Sequence, residues 1–270
     1  MCTGQYFLQV VRLVYGELAA GFSLVAAVAG RGNSTRNFLN ADRFLPHCRR
    51  AMNDQANPMT RNRGAKWVGL FIALFGMLIV RAAVYAFYPP YSLPAAAWRE
   101  SLNWLCAIAL VLIIHFGERL PFRSVGIGRA TVQSSLAWGG IIAIVCAVLA
   151  FGIVALTHYN GGSSGAALAK LPLWLITLIV LRAGVLEELF YRGYAIERLE
   201  ALGLNRFWAG IIPLLIFGVA HWTGGWANIV IALVLGAVLT LFYLWRRDLV
   251  ANMIGHFMVD FIANVLPRLF

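Results

Sequence analysis

Acidic residues are scarce in this chain. Eleven Asp and Glu stand against twenty-two Lys and Arg in 270 residues, and charged residues make up only 12% of the whole. An average soluble domain carries roughly 25%. So little charge cannot cover a water-exposed surface, which excludes an ordinary soluble domain. Cysteine is as thin: Cys2, Cys48, Cys106 and Cys146 are scattered with no C-x-x-C pair, so neither a disulfide framework nor a zinc site is implied. Alternation at every second residue is missing, and with it the outer-membrane barrel. There is no internal repeat to support a transporter built of two related halves. The chain also lacks the H-E-x-x-H of a helical zinc protease and the G-x-G-D of an aspartyl intramembrane protease. G-S-S-G occurs at 162–165, but in a Gly/Ser-rich run that reads as a linker and not as a serine-protease motif.

What the chain has instead is apolar length. Hydrophobic residues are 61% of it, in whole blocks, and mean hydropathy is +0.76. Only helices satisfy their own backbone groups in lipid when no barrel is available. The expected fold is therefore all-α: a polytopic helical membrane protein with about seven transmembrane helices. Seven segments approach the length needed to cross a bilayer, near 67–88, 101–116, 134–157, 171–191, 207–222, 226–245 and 249–266. The second is short, and the fifth carries Pro213 and ends in W-T-G-G-W, a tight turn with aromatic anchors. Residues 159–165, Y-N-G-G-S-S-G, read as a flexible external loop.

The basic residues alternate between ends. Residues 31–66 and the connections after the second, fourth and sixth segments hold sixteen Lys and Arg, and the other side only Arg99, Lys170 and Arg268. The positive-inside rule puts 31–66 in the cytoplasm and the C-terminus outside. The net charge of +11 thus reads as topology, and no nucleic-acid partner is expected, because no folded domain presents a basic face. Residues 67–270 form the expected membrane domain, and 1–66 a polar, basic extension. That extension includes an apolar stretch at 5–29, which is either a helix or a sign that the natural start lies downstream, at Met52 or Met59.

Against this background E-E-L-F-Y-R-G at 187–193 stands out, because an ionised carboxylate at membrane depth costs about 3 kcal/mol. Glu188 and Arg192 are four apart and fall on one helix face, acid before base. Glu187 points about 100° away and is expected to lack a local partner, which suits a base working near neutral pH. Packing glue between helices is the bland alternative, but acids inside a membrane are functional sites by default. F-G-V-A-H places Phe217 and His221 one turn apart, and H-F-M-V-D does the same for His256 and Asp260. Counted from a turn near Gly203, Glu187 and His221 reach the same depth, roughly 25 Å at 1.5 Å per residue. The counts place a site sunk in the membrane and reached from the cytoplasm.

The three segments E-E-L-F-Y-R, F-G-V-A-H and H-F-M-V-D, in that order on separate helices, resemble the E-E-x-x-x-R, F-x-x-x-H and H-x-x-x-N/D motifs of the CAAX prenyl protease and bacteriocin-processing (CPBP, or Abi) family. The resemblance covers roughly residues 130–265. It implies a four-helix catalytic core and an intramembrane glutamate-type endopeptidase of the cell membrane, with no cofactor, acting on a membrane-associated protein or peptide within the lipid bilayer. Carried over, Glu187 becomes the general base with His221 its partner in activating water, Glu188 and Arg192 a supporting ion pair, His256 the oxyanion stabiliser, and Phe217 a substrate-binding residue. Asp260 departs from the Asn of the prenyl proteases. An ionised Asp donates nothing to an oxyanion, so its expected part is to orient or charge His256. Competing readings are a non-catalytic membrane protein of the same architecture (an immunity factor or scaffold), a protease with a metal held across helices by Glu187, His221 and His256, and a proton-coupled transporter, since buried Glu and His also form proton relays.

Overall fold

The computed structural model describes residues 62–90 and 92–270. The expected extension, with its apolar stretch at 5–29, lies almost wholly outside the described residues. Within them the chain is helical and has no strand. Helix α1 is Arg63–Phe87, and α2 is Leu93–Leu112, prolonged by a π turn at Ile113–Gly117. Helix α3 is Val132–Thr157 and α4 the short Gly162–Leu168. Helix α5 starts as Leu173–Arg182 and runs on through a π-helical stretch, Ala183–Ile196, into Glu197–Ala201. Then come α6, Arg206–Val219, α7, Trp226–Arg246, and α8, Leu249–Asn264.

The protein is a polytopic all-α membrane protein, and the expected count of seven spans is not confirmed among the described residues. Among the described residues five helices are long and apolar enough to cross a membrane: α1, α2 with its π turn, α3, α7, and α8 with the turn after it. The segment expected at 171–191 is instead the first part of α5, whose middle buries Arg182, Glu187, Glu188 and Arg192. The one expected at 207–222 is a helix of 14 residues, about 21 Å long and short of the roughly 30 Å of hydrocarbon. Helix α2 is longer than expected and begins at Leu93, where the Ser92 hydroxyl caps the Ala95 N–H and Pro94 occupies the first turn. Arg99 and Glu100 interrupt the apolar pattern there, but Glu100 is buried in ion pairs, so the helix passes straight through them. The glycine-rich run at 159–165 is not wholly a loop either, because α4 starts at Gly162.

Ion pairs and hydrogen bonds mark the two ends of the bundle. At one end Arg198 pairs with Glu118, and Arg247 with Glu197 and Glu200. At the other, the Arg81 guanidinium donates to the Ala220 carbonyl and Arg268 to the Leu171 carbonyl. The basic connections therefore share one end. Arg192, counted from sequence as part of a basic connection, lies buried inside the bundle instead.

Helix α8 packs hard against α5. A Cβ on Gly184 would stand 2.7 Å from the Phe257 Cβ and 2.8 Å from its Cα, so a small residue there sets the close approach of the two backbones, as at many membrane helix crossings. Gly184→Ala forces the helices apart and is expected to cost about 1–3 kcal/mol. Thermal unfolding of the detergent-solubilised protein checks this, and an unchanged midpoint contradicts the close-approach account.

Candidate active site

The π stretch brings together charges that α-helical spacing separates. In a π-helix the backbone bond closes from i to i+5, so Arg182 and Glu187, five apart, meet on one side. The Arg182 Nη1 donates to Glu187 Oε1 at 2.5 Å, and its Nε to Glu100 Oε2 of α2 at 2.9 Å. The expectation that Glu187 lacks a local partner is thereby overturned: it assumed 3.6 residues per turn through a segment that is wound more widely. One oxygen of Glu187 is still without a hydrogen bond. Oε2 is buried and has no partner among the described residues, an exception in a class of atoms that is nearly always satisfied.

Glu188 and Arg192 pair as expected, at 2.7 Å and fully buried. Glu188 is a hub. Its Oε1 also accepts from His256 Nδ1 at 2.8 Å, and its Oε2 from Asn252 Nδ2 at 3.1 Å. Arg192 in turn donates to the Gly236 carbonyl and reaches Thr240 Oγ1, both on α7. Its guanidinium lies over the Phe217 ring, 4.4 Å from the centroid. Phe217 is thus packed among Arg192, Tyr191, His221 and His256.

Each histidine turns its Nδ1 to an oxygen acceptor. His221 follows the end of α6, and its Nδ1 contacts the Phe217 carbonyl oxygen at 2.8 Å. A carbonyl only accepts, so Nδ1 carries the hydrogen and Nε2 keeps its lone pair. His256 Nδ1 likewise faces a carboxylate, which leaves Nε2 pointing toward Asp260 Oδ2 at 3.7 Å. That is too long for a hydrogen bond but close for two charges.

A cavity of about 480 Å³ receives these groups, within the usual range for ligand sites of roughly 300–1,000 Å³. Glu187, His221, Phe217, Asp260, Arg182 and Tyr191 line it. Glu188 and Arg192 lie behind the wall, with His256 only slightly exposed between them and Asp260. Among the described residues no three His, Cys, Asp or Glu side chains converge as ligands for a metal ion; His256 is turned to Glu188 instead.

Four contributors were not read from the sequence. Asn252 had a signal, since it lies one turn before His256 on the same face of α8. Arg182 is the only charge in the apolar run before Glu187, but five residues is not an α-helical spacing. Glu100 and Thr240 come from helices that carry no motif, and only the tertiary fold brings them in.

Residues 169–262 match a family model described as type II CAAX prenyl endopeptidase, Rce1-like. The match runs from just before α5 into α8, through all three motifs, and bears out the family resemblance drawn from them. It implies a CAAX-type intramembrane protease, hence a hydrolase in a lipid bilayer acting on a peptide. No curated protein and no solved structure matches the chain.

Proposed function

We propose that residues 67–270 are a glutamate-type endopeptidase domain of the cell membrane, hydrolysing a peptide bond in a membrane-associated protein or peptide. The observation that carries this reading is the division of the Glu187 carboxylate: Oε1 is held by Arg182 while Oε2 has no partner, in a residue that shares a cavity wall with His221.

The chemistry follows from these atoms. A water between Glu187 and His221 gives a proton to Oε2, with the lone pair of His221 Nε2 accepting its second hydrogen and fixing its direction. The hydroxide adds to the peptide carbonyl carbon. The oxyanion takes a hydrogen bond from His256 Nε2, which is a donor only when the ring is doubly protonated. Glu188 and Asp260 are the two carboxylates placed to balance that charge. One such donor is worth about 3 kcal/mol in other enzymes. The proton on Glu187 then passes to the leaving nitrogen as the C–N bond breaks, and carboxylic acid and amine separate. Glu188, itself paired with Arg192, holds His256, and Phe217 forms the floor on which the substrate rests.

The test is proteomic. New protein C-termini in membranes containing the wild-type chain are compared with those from Glu187→Ala. C-termini that depend on Glu187 and persist with a strong chelator support the reading. Their absence favours a non-catalytic binding role, and their loss on chelation with recovery on zinc favours a metal protease.

A further inference from the structure

We propose that Asn103 of α2 is a substrate-binding residue, whose side-chain oxygen accepts a hydrogen bond from a backbone N–H of the peptide held in the cavity. This rests on the protease reading for the peptide. The binding atom is read from the cavity wall.

Among the described residues four buried side-chain polar atoms have no hydrogen-bond partner: Asn103 Oδ1, Trp104 Nε1, Glu187 Oε2 and Asn252 Oδ1. Of the residues that carry them, Glu187 and Asn103 line the cavity and the other two do not. Glu187 Oε2 has its use in the attack on the peptide carbonyl. Asn103 Oδ1 has none in that chemistry, and a buried acceptor left unmet is rare. Asn103 is only 3% exposed, so a donor for it has to come from whatever fills the cavity. The family match begins at residue 169, so α2 lies outside it and no motif points to this residue.

The wall that carries Asn103 is tied to the reacting carboxylate. Glu100, three residues earlier, falls on the same face of α2 and is bound from two sides. Its Oε2 accepts from Arg182 Nε at 2.9 Å, and its Oε1 from Arg99 Nε and Nη2 at 3.3 Å each. The same Arg182 donates to Glu187 Oε1 at 2.5 Å. One guanidinium thus fastens α2 to α5, and Asn103 stands a single turn along α2 from that anchor, roughly 5 Å of helix rise.

The chemistry of the acceptor selects the donor. A cationic side chain entering this cavity would be drawn to the carboxylates of Glu187 and Asp260, which share the wall. A neutral carboxamide oxygen suits a neutral donor, and an extended peptide offers a backbone N–H at every residue, whatever its side chains. Ligand cavities use a few such polar groups to fix orientation. Asn103 therefore sets the register of the main chain against Glu187, and with it which bond is presented for cleavage.

Binding measurements test this without turnover. The full chain is placed in lipid nanodiscs at 4 °C, in the wild-type and the Glu187→Gln background, with and without Asn103→Leu. The probes are two palmitoylated, fluorescein-labelled decapeptides, one of alternating Ala and Ser and one of alternating Leu and Thr, read by fluorescence anisotropy. Asn103→Leu is expected to weaken both by the same factor, about tenfold, the worth of one neutral hydrogen bond. Leu has nearly the volume of Asn and removes an unmet oxygen, so the thermal midpoint should stay level or rise. No saturable binding, an unchanged affinity, a loss confined to one probe, or a lowered midpoint overturns the proposal. If Asn103→Leu does not accumulate, Asn103→Ala is held to the same affinities. Membranes with no Glu187-dependent C-terminus would fail the protease reading and leave the binding result standing.

Discussion

Glu187→Gln is expected to abolish peptide cleavage while leaving the protein folded. The amide is nearly the same size and still accepts a hydrogen bond from Arg182, but it cannot take a proton from water. Removing a general base alone costs roughly 10²–10⁴-fold, and here the same group also delivers the proton to the leaving nitrogen, so the upper part of that range applies. Folding survives because Arg182 does not depend on Glu187 for its counter-charge. Glu100 sits 2.9 Å from its Nε on the other side, and the guanidinium stays neutralised. The measurement is the rate of cleavage per folded molecule, taken from the monodisperse fraction in detergent. A Glu187→Gln protein that cleaves at the wild-type rate sinks the assignment of the base, and one that fails to fold sinks the account of Glu100.

Glu188→Gln is expected to lose both fold and activity. Arg192 is fully buried, and Glu188 is the carboxylate that faces it; its remaining acceptors, the Gly236 carbonyl and the Thr240 hydroxyl, are neutral. Breaking a buried pair by removing one charge typically costs about 3–5 kcal/mol. The loss spreads further, because the same carboxylate receives His256 Nδ1 and Asn252 Nδ2. Without it His256 is free to turn, and the donor aimed at the oxyanion goes with it. Folded yield and thermal midpoint in detergent should fall well below those of Glu187→Gln. Equal yields for the two variants contradict the division between a reacting and a supporting glutamate.

The adjacency of these two glutamates was legible from sequence, but the difference between them was only half legible. Spacing by four gave the Glu188–Arg192 pair, because α and π winding both leave residues four apart close together. The partner of Glu187 was hidden, since an unwound turn brings residues five apart into register and nothing in L-R-A-G-V-L-E-E announces that the helix will unwind. The histidine motifs show the same boundary. Their i, i+4 spacing predicted that Phe217 would touch His221 and that Asp260 would stand beside His256, as they do. That His256 would turn its Nδ1 to Glu188 depends on how α8 packs across α5.

By itself the sequence determined the solvent, the helical class and the groups available for chemistry. Each of these follows from local composition or from residues within about one turn of each other, where apolar length and backbone hydrogen bonding leave a single solution. The tertiary structure decided which charges are paired, which oxygen of Glu187 is left without a partner, and which side chains line one cavity. Those depend on contacts between helices far apart in the chain, such as Glu100 with Arg182 and Glu188 with His256. In a membrane the hydrophobic effect gives no preference for one apolar helix face over another, so close backbone approach at small residues and the matching of buried charges select the arrangement, and neither is written in any one segment.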